Sequence, residues 1–159
     1  MNITLIYVGN IREKYFLEAA AEYEKRLSAY AKLTNVELKE EKVPENPSEG
    51  EIKAAIKKEG DKILSAIPQK SKKIALCIEG KELSSEAFSE FLKTAENDGV
   101  SSFCFIIGGA FGLDERVKAL CDLRLSISKM TFTHRMARIL LLEQLYRAEN
   151  IAAGGKYHK

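Results

Sequence analysis

The stretch Phe105-Ile106-Ile107-Gly108-Gly109-Ala110-Phe111-Gly112 decides the fold class of this chain. It completes an apolar run from Ser102 that is typical of a buried strand, and its glycines predict a turn before a short helix capped by Asp114. In α/β proteins, ligands bind at the carboxyl ends of such strands, and glycine lets a ligand approach the backbone. The turn has neither the G-x-G-x-x-G spacing of a dinucleotide site nor a following Gly-Lys-Ser/Thr. A tight connection and a binding site are therefore both consistent with it.

Strands and helices alternate on both sides of this stretch. We predict strands over residues 3–8, 36–43, 73–78, 102–107 and 123–127, and helices over residues 12–32, 48–65, 85–97, a short segment after 114, and 134–150. Several strands are apolar on both faces, which favours a mainly parallel sheet with helices covering both of its faces. The predicted fold class is α/β, with residues 1–159 forming a single domain.

The composition fits one globular protein, since 45% of the residues are apolar, 30% are charged and none is tryptophan. The longest apolar run, residues 139–142, is far shorter than the ~20 residues that a membrane span requires. The N-terminus lacks the basic region of a signal peptide. We therefore expect a cytoplasmic protein with no membrane partner.

The cysteines and histidines are not spaced as metal ligands or as a redox pair. Cys77, Cys104 and Cys121 are separated by 27 and 17 residues, and His134 and His158 by 24. No CxxC motif occurs, so we expect reduced cysteines that pack as small apolar side chains. No metal site is predicted.

Charge is distributed unevenly along the chain, although the net charge is only +2. From Lys129 to Lys159 the chain has six basic and two acidic residues, or +4, whereas the first 128 residues carry −2. A basic C-terminal segment indicates an anionic partner such as RNA, and a solvated basic tail is an equally good interpretation of charge alone.

The last predicted helix has apolar residues all round its axis and no clear solvent face. They are Met136, Ala137, Ile139, Leu140, Leu141, Leu142, Leu145, Tyr146 and Ala148. Because a sheet covers only one side of a helix, the other side must meet further helices or a second subunit. We expect a homodimer built on this helix, with a central core helix inside one subunit as the alternative.

Two polar segments flank that helix. The first, residues 128–133, is either an N-cap turn ending at Thr133 or a ligand-binding loop, in which Met130 and Phe132 could lie against an adenine or a methyl-sulfonium group. His134 follows it as either a solvated or a catalytic residue. The second segment is the tail, where Tyr157 could stack on a base and the neighbouring lysines and histidine could contact phosphate; a disordered tail is the alternative.

Taken together, these segments resemble the RlmH family of small SPOUT methyltransferases. The similarity covers essentially the whole chain and includes Phe105 to Gly112, Leu125-Ser126-Ile127-Ser128, Thr133-His134 with Arg138, Leu142-Glu143-Gln144-Leu145-Tyr146-Arg147-Ala148 and Tyr157-His158-Lys159. Members of this family methylate N3 of a pseudouridine in helix 69 of the 23S ribosomal RNA of the large subunit. They act late, on a nearly complete ribosome.

The resemblance implies a SPOUT fold whose C-terminal part forms a trefoil knot, a rare exception to the usual absence of knots. It also implies S-adenosyl-L-methionine (SAM) as the cofactor, held among three loops of the knot. In this chain those loops are the strand end at Leu76, the turn at Gly108 and the segment Ile127-Ser128-Lys129-Met130-Thr131-Phe132. The family's dimer uses the last helix, so the resemblance also implies a homodimer.

Site roles follow from the resemblance and from the chemistry of the reaction. The N3–H of a pseudouridine is a weak acid, and the anion that develops when its proton leaves needs a nearby cation. Arg147 is the candidate for that cation. Tyr157 and His158 are expected to orient the base or relay its proton, on a tail that closes over the neighbouring subunit's cofactor. His134 and Arg138 are expected to hold RNA.

Two other classes of function remain open from the sequence. A nicotinamide or nucleotide enzyme is consistent with the glycine turn, but Ser128 stands where a ribose-binding acid would be needed. A ribosome-binding factor without catalysis would also account for the basic C-terminal segment.

Overall fold

The computed structural model describes residues Met1–Lys159 and contains five strands and five helices. In chain order they are β1 (Asn2–Val8), α1 (Lys14–Leu27), β2 (Lys32–Leu38), α2 (Glu49–Ala66), β3 (Lys72–Glu82), α3 (Ser85–Asn97), β4 (Ser102–Ile107), α4 (Glu115–Leu120), β5 (Leu123–Ser126) and α5 (His134–Ala152). No helix combines the length and the hydropathy that a membrane crossing needs.

The five strands form one sheet in the order β2-β1-β4-β3-β5, and every neighbouring pair is parallel. Alternate residues of the central strands enter two separate cores. Phe103 and Phe105 point towards α1, α3 and α5, whereas Cys104 and Ile106 point towards α2 and α4. Both faces of the sheet are therefore covered, and the predicted α/β fold is confirmed.

Three elements have boundaries that differ clearly from the sequence prediction, because strand pairing prevails over local periodicity. The strand β2 spans Lys32–Leu38 rather than residues 36–43. The helix α1 ends at Leu27 rather than near residue 32, since the chain turns at Ser28 and Lys32 already pairs with Asn2 of β1. The strand β3 continues to Glu82 rather than ending at residue 78. Its last two residues pair with β5 after an irregular segment.

The last helix, α5, lies between α1 and α3 and packs onto the sheet. Leu141, Leu142, Leu145 and Ala148 are buried within the single chain. The apolar pattern around this helix is thus largely accounted for inside one subunit, as in the core-helix alternative. A homodimer stays a prediction.

Candidate active site

A cavity of about 340 Å³ opens at the carboxyl edge of the sheet, beside the ends of β3, β4 and β5. Three stretches of chain form most of its wall: residues 76–79, residues 107–113 and residues 125–132 without Lys129. Lys118, His134 and Ala137 complete the lining. The volume lies in the usual range for small-molecule sites, and this edge of an α/β sheet is where such sites occur.

The structure brings together nearly all of the residues that were expected to hold the cofactor. Leu76, Gly108 and five of the six residues from Ile127 to Phe132 line the same cavity. Lys129 does not: it is exposed and lies outside the lining. The glycine turn and the polar loop, which the sequence left as separate possibilities, are two walls of one pocket.

The glycine turn closes tightly where β4 ends. A side chain on Gly108 would lie 2.8 Å from the backbone carbon of Gly112, so only glycine allows the two ends of the turn to approach each other. Gly112 has a φ of +89°, a conformation that other residues rarely adopt, and its N–H donates to the carbonyl of Gly109 at 3.1 Å. The turn therefore presents backbone rather than side chains to the cavity.

A bulge in β3 forms the opposite wall. Leu76 and Lys81 both pair with Leu125 of β5, so the four residues between them loop out of the ladder. Of these, Cys77, Ile78 and Glu79 line the cavity. Bulges are frequent beside binding sites because they redirect side chains and release backbone groups from the sheet. The residue periodicity of this strand does not indicate the bulge.

The loop that precedes α5 is organised by its own hydroxyl groups. Ser126 Oγ donates to the carbonyl of Ser128 at 2.8 Å, and the N–H of Met130 donates to Ser128 Oγ at 3.0 Å. Thr133 caps α5 by accepting from the N–H of Met136 at 3.3 Å. The N-cap interpretation of Thr133 is thus confirmed, and the same loop also forms part of the cavity wall.

His134 lines the cavity at the first turn of α5 and is half-buried. Burial lowers its pKa, and the adjacent Arg135 lowers it further, so the ring is neutral at pH 7. Its Nε2 atom is buried without a hydrogen-bond partner and lies 3.0 Å from the point that a side chain on Gly9 would occupy.

Arg138 does not occupy the position expected of an RNA-binding residue. Only 9% of its side chain is exposed, and its guanidinium forms an ion pair with Glu24 of α1 at 3.1 Å. The guanidinium carbon also lies 4.0 Å from the centroid of the Tyr7 ring. These contacts join α5 to α1 and β1, so this basic residue faces the protein interior rather than an RNA surface.

The three predicted catalytic residues lie together at the other end of α5. Arg147 Nη1 is 3.2 Å from His158 Nδ1, and the Arg147 guanidinium carbon lies 4.6 Å from the centroid of the Tyr157 ring. Glu143 connects them, because its Oε1 accepts from Arg147 Nε at 3.1 Å and from the Tyr157 hydroxyl at 2.9 Å. We call Arg147, Tyr157, His158 and Glu143 the tail cluster.

The tail is folded back onto α5, unlike the disordered alternative. Asn150 holds it in place: the N–H of Tyr157 donates to Asn150 Oδ1 at 3.0 Å, and the N–H of Gly155 donates to the Asn150 carbonyl at 2.8 Å. His158 Nε2 also lies 2.8 Å from Glu86 Oε1 on α3.

Sequence reasoning missed the residues that support the tail cluster. The contact of Glu143 with Arg147 could have been predicted, since Glu143 lies four residues before Arg147 on a predicted helix, and this is the spacing of an ion pair. The contacts of Glu86 and Asn150 with the tail could not have been predicted, because they depend on how the tail crosses α3 and α5.

The tail cluster and the cavity are separate within one chain. None of the cluster residues lines the cavity. Arg147 follows His134 by 13 residues of helix, which at 1.5 Å per residue places them ~20 Å apart along α5. One chain therefore carries a cofactor-sized pocket at one end of α5 and the tail cluster at the other. No group of three or more His, Cys, Asp or Glu side chains is arranged to hold a metal ion.

Comparison with known proteins defines the class. The family described as "Predicted SPOUT methyltransferase" matches residues 1–158. "The structure of a probable methylase family protein from Haemophilus influenzae Rd KW20" has a TM-score of 0.53, covering 99% of this chain and 70% of its own at 15% identity. "Crystal Structure of Probable Methyltransferase from Bordetella pertussis Tohama I" has a TM-score of 0.56, covering 92% and 95% at 15% identity. The chain is a SPOUT methyltransferase.

Full-length relatives define the branch of that family. Proteins named "Ribosomal RNA large subunit methyltransferase H" from Clostridioides difficile (strain 630), Clostridium acetobutylicum and Carboxydothermus hydrogenoformans are 50%, 48% and 46% identical to this chain, each over 100% of both sequences. The chain belongs to the ribosomal RNA large subunit methyltransferase H family. The resemblance found in its motifs is confirmed.

Proposed function

We propose that this protein transfers the methyl group of SAM to N3 of a pseudouridine in helix 69 of 23S ribosomal RNA, in the ribosome and in the cytoplasm. The names of its full-length relatives support ribosomal RNA of the large subunit as the substrate. The proposal rests on the presence of both a glycine-walled cavity and the tail cluster in this chain. Methyl transfer to a weakly acidic nitrogen needs a site for the methyl donor and a cation for the nitrogen anion, and the two features can supply these.

The cavity fits SAM in size and in chemistry. Its 340 Å³ is lined by apolar side chains and by the exposed backbone of the glycine turn, a combination that suits a nucleoside. The residues expected to hold it are Leu76, Gly108, Ile127, Ser128, Met130, Thr131 and Phe132. Bound SAM supplies an electrophilic methyl group on a sulfonium, and this chemistry needs no metal.

The tail cluster supplies what the nucleophile requires. Arg147 brings a permanent positive charge that stabilises the anion left when N3 loses its proton. Burial, together with the Glu143 carboxylate, raises the pKa of Tyr157 to about 12, so its hydroxyl stays protonated at neutral pH. Because that proton is donated to Glu143, the phenolic oxygen is left to accept a hydrogen bond from the base. His158, between Arg147 and Glu86, orients the base or relays its proton.

A homodimer completes the site, in this proposal, because the cavity and the tail cluster of one chain are ~20 Å apart along α5. The rim of the cavity supports a partner at this place. It exposes five large apolar side chains, and Met130 is the most exposed of them at 74%: Ile78, Phe111, Ile127, Met130 and Phe132. Such a concentration of exposed apolar groups is typical of an interaction surface.

The test is methyl incorporation into ribosomes purified from cells that lack the modification, followed by mass spectrometry of the helix 69 fragment. We expect one methyl group on the pseudouridine, transferred only when SAM is present. Transfer to another nucleotide would contradict the helix 69 assignment. Binding to ribosomes without any transfer would favour a ribosome-binding factor, and calorimetric binding of NADH instead of SAM would favour a nicotinamide enzyme.

A further inference from the structure

An ion pair lies in the wall of the cavity, and the proposed mechanism gives it no role. Lys118 of α4 and Glu79 of the β3 bulge both line the cavity, with Lys118 Nζ 2.5 Å from Glu79 Oε1. The Lys118 side chain is only 12% exposed, whereas that of Glu79 is 53% exposed. Lysine is rarely buried to this extent, and its ammonium needs partners when it is.

This pair is the main source of charge inside the cavity. The remaining lining is apolar, glycine or hydroxyl-bearing, apart from Cys77 and the neutral ring of His134. Ionised Glu79 and Lys118 therefore place one negative and one positive group side by side in a wall that otherwise carries no charge. The side-chain hydrogen bond to Lys118 lowers the pKa of Glu79, so its carboxylate is ionised at neutral pH.

We propose that Glu79 and Lys118 bind the amino acid end of the methyl donor, with Lys118 contacting its α-carboxylate and Glu79 its α-ammonium. This inference rests on the proposed function. A sulfonium nucleoside has a flat, weakly charged half that suits the apolar walls. Its other half is a zwitterion, which needs two opposite charges at neighbouring positions. The Glu79–Lys118 pair is the only feature of the lining that offers them.

The competing explanation is a structural brace. Lys118 Nζ is also 3.2 Å from Glu115 Oε1, and Arg124 Nη1 is 3.8 Å from Glu115 Oε2, so the pair belongs to a four-residue charge network that joins α4 to β3 and β5. Glu115 is 75% exposed and does not line the cavity. It therefore provides a matched control, because its loss weakens the network without removing a group from the pocket.

The experiment compares two ligands that share a nucleoside but differ in the amino acid end. S-adenosylhomocysteine carries the zwitterion, and 5′-methylthioadenosine lacks it. Their dissociation constants are measured by calorimetry for the unmodified protein and for Glu79→Gln, Lys118→Met and Glu115→Gln. Charge-assisted hydrogen bonds are lost in the first two variants, so we expect S-adenosylhomocysteine to bind about tenfold more weakly, or worse. Binding of 5′-methylthioadenosine should change less than about twofold, as should both ligands with Glu115→Gln.

Equal weakening of both ligands, or no weakening of either, would overturn the inference in favour of a brace. If Lys118→Met melts at a much lower temperature, Glu79→Gln still decides the question, because its carboxylate is largely exposed and the change preserves shape. Failure of the unmodified protein to bind either ligand would instead contradict SAM binding in this cavity, and hence the proposed function.

Discussion

Arg147 is held on one side by Glu143 and on the other by the tail. Its guanidinium donates to Glu143 Oε1, stacks on Tyr157 and contacts His158, so its direction is fixed before any substrate arrives. A cation that is already oriented stabilises a developing anion without the cost of reorganisation at the moment of reaction.

We predict that Arg147→Ala abolishes methyl transfer while the affinity for SAM survives, because Arg147 lies outside the cavity. Loss of one such group typically lowers the rate by about 10²–10³-fold. Single-turnover methylation of ribosomes measures the rate, and calorimetry measures SAM binding. Arg12→Ala, on an exposed loop, is the control and should behave as the unmodified protein. Full activity of the Arg147 variant would refute the assignment.

Glu149 gives the folded protein a pH dependence that is independent of catalysis. Burial raises its pKa to about 7, and the nearby carboxylate of Glu96 contributes. Because the folded state binds this proton more tightly than the unfolded state, the protonated carboxyl stabilises the fold at low pH. That contribution is lost as the pH rises from about 4.5 towards 7.

Glu149→Gln should therefore raise the melting temperature at pH 8 and change it little at pH 4.5. A protein of this size gains about 2–4 °C for each kcal/mol of stabilisation. Thermal unfolding followed by circular dichroism at the two pH values is the measurement. An equal shift at both would mean that the carboxyl is not titrating in this range.

At the level of the elements, α2 supports the glycine turn from the side opposite the cavity. Glu59 lies against Gly109, and Gly60 lies against Asp114, which caps α4 by accepting from the N–H of Arg116. A side chain on Gly60 would approach Asp114 to within 2.4 Å. The position of the turn therefore depends on a helix that contributes no residue to the cavity lining.

We predict that Gly60→Ala destabilises the protein by about 1–3 kcal/mol and weakens SAM binding, since α4 and the turn must move to admit the methyl group. Gly50→Ala, in the first turn of the same helix, is the matched control. Its nearest neighbour is 4.0 Å away, so replacing glycine by alanine there should stabilise by up to ~1 kcal/mol. Urea unfolding and calorimetry measure both effects; the same sign for the two variants would contradict this account.

The folded tail leads to a separate prediction. Deleting residues 156–159 removes Tyr157 and His158 and should lower turnover on ribosomes while SAM binding is retained. Asn150→Ala should reproduce part of the loss, because it frees the tail, whereas Asn150→Asp keeps the acceptor for the Tyr157 N–H and should retain more activity. Turnover unchanged by the deletion would exclude a role for the tail.

At the level of the whole molecule, a site shared between subunits can be tested by complementation. Arg147→Ala lacks the cluster cation, and Ala110→Trp fills the cavity, so each variant alone should be inactive. After the two are unfolded and refolded together, about a quarter of the unmodified rate should return, because half of the dimers are mixed and each has one complete site. No recovery, or a monomer in sedimentation at micromolar concentration, would contradict the shared site.

The sheet and the turn were predictable because their signals are local. Phe103 to Ile107 is apolar on both faces, and Gly108 to Gly112 can only be a turn. The contacts of Arg138 were not predictable, because a basic residue near an RNA-binding motif has the same sequence appearance whether it faces solvent or Glu24. The position of Lys118 in the cavity wall was not predictable either. It depends on a bulge in β3, a strand that is distant from Lys118 in the sequence.

The strand order also governs how this chain can acquire its fold. β1 has its second neighbour in β4, and the pairing of Asn2 with Ser102 joins residues 100 positions apart. Contacts of such long range require large loops to close before they contribute stability, which slows folding. During synthesis, β1 must remain without this neighbour until most of the chain exists. We therefore expect the N-terminal half alone to be aggregation-prone, and the complete chain to refold slowly compared with helical proteins of equal length.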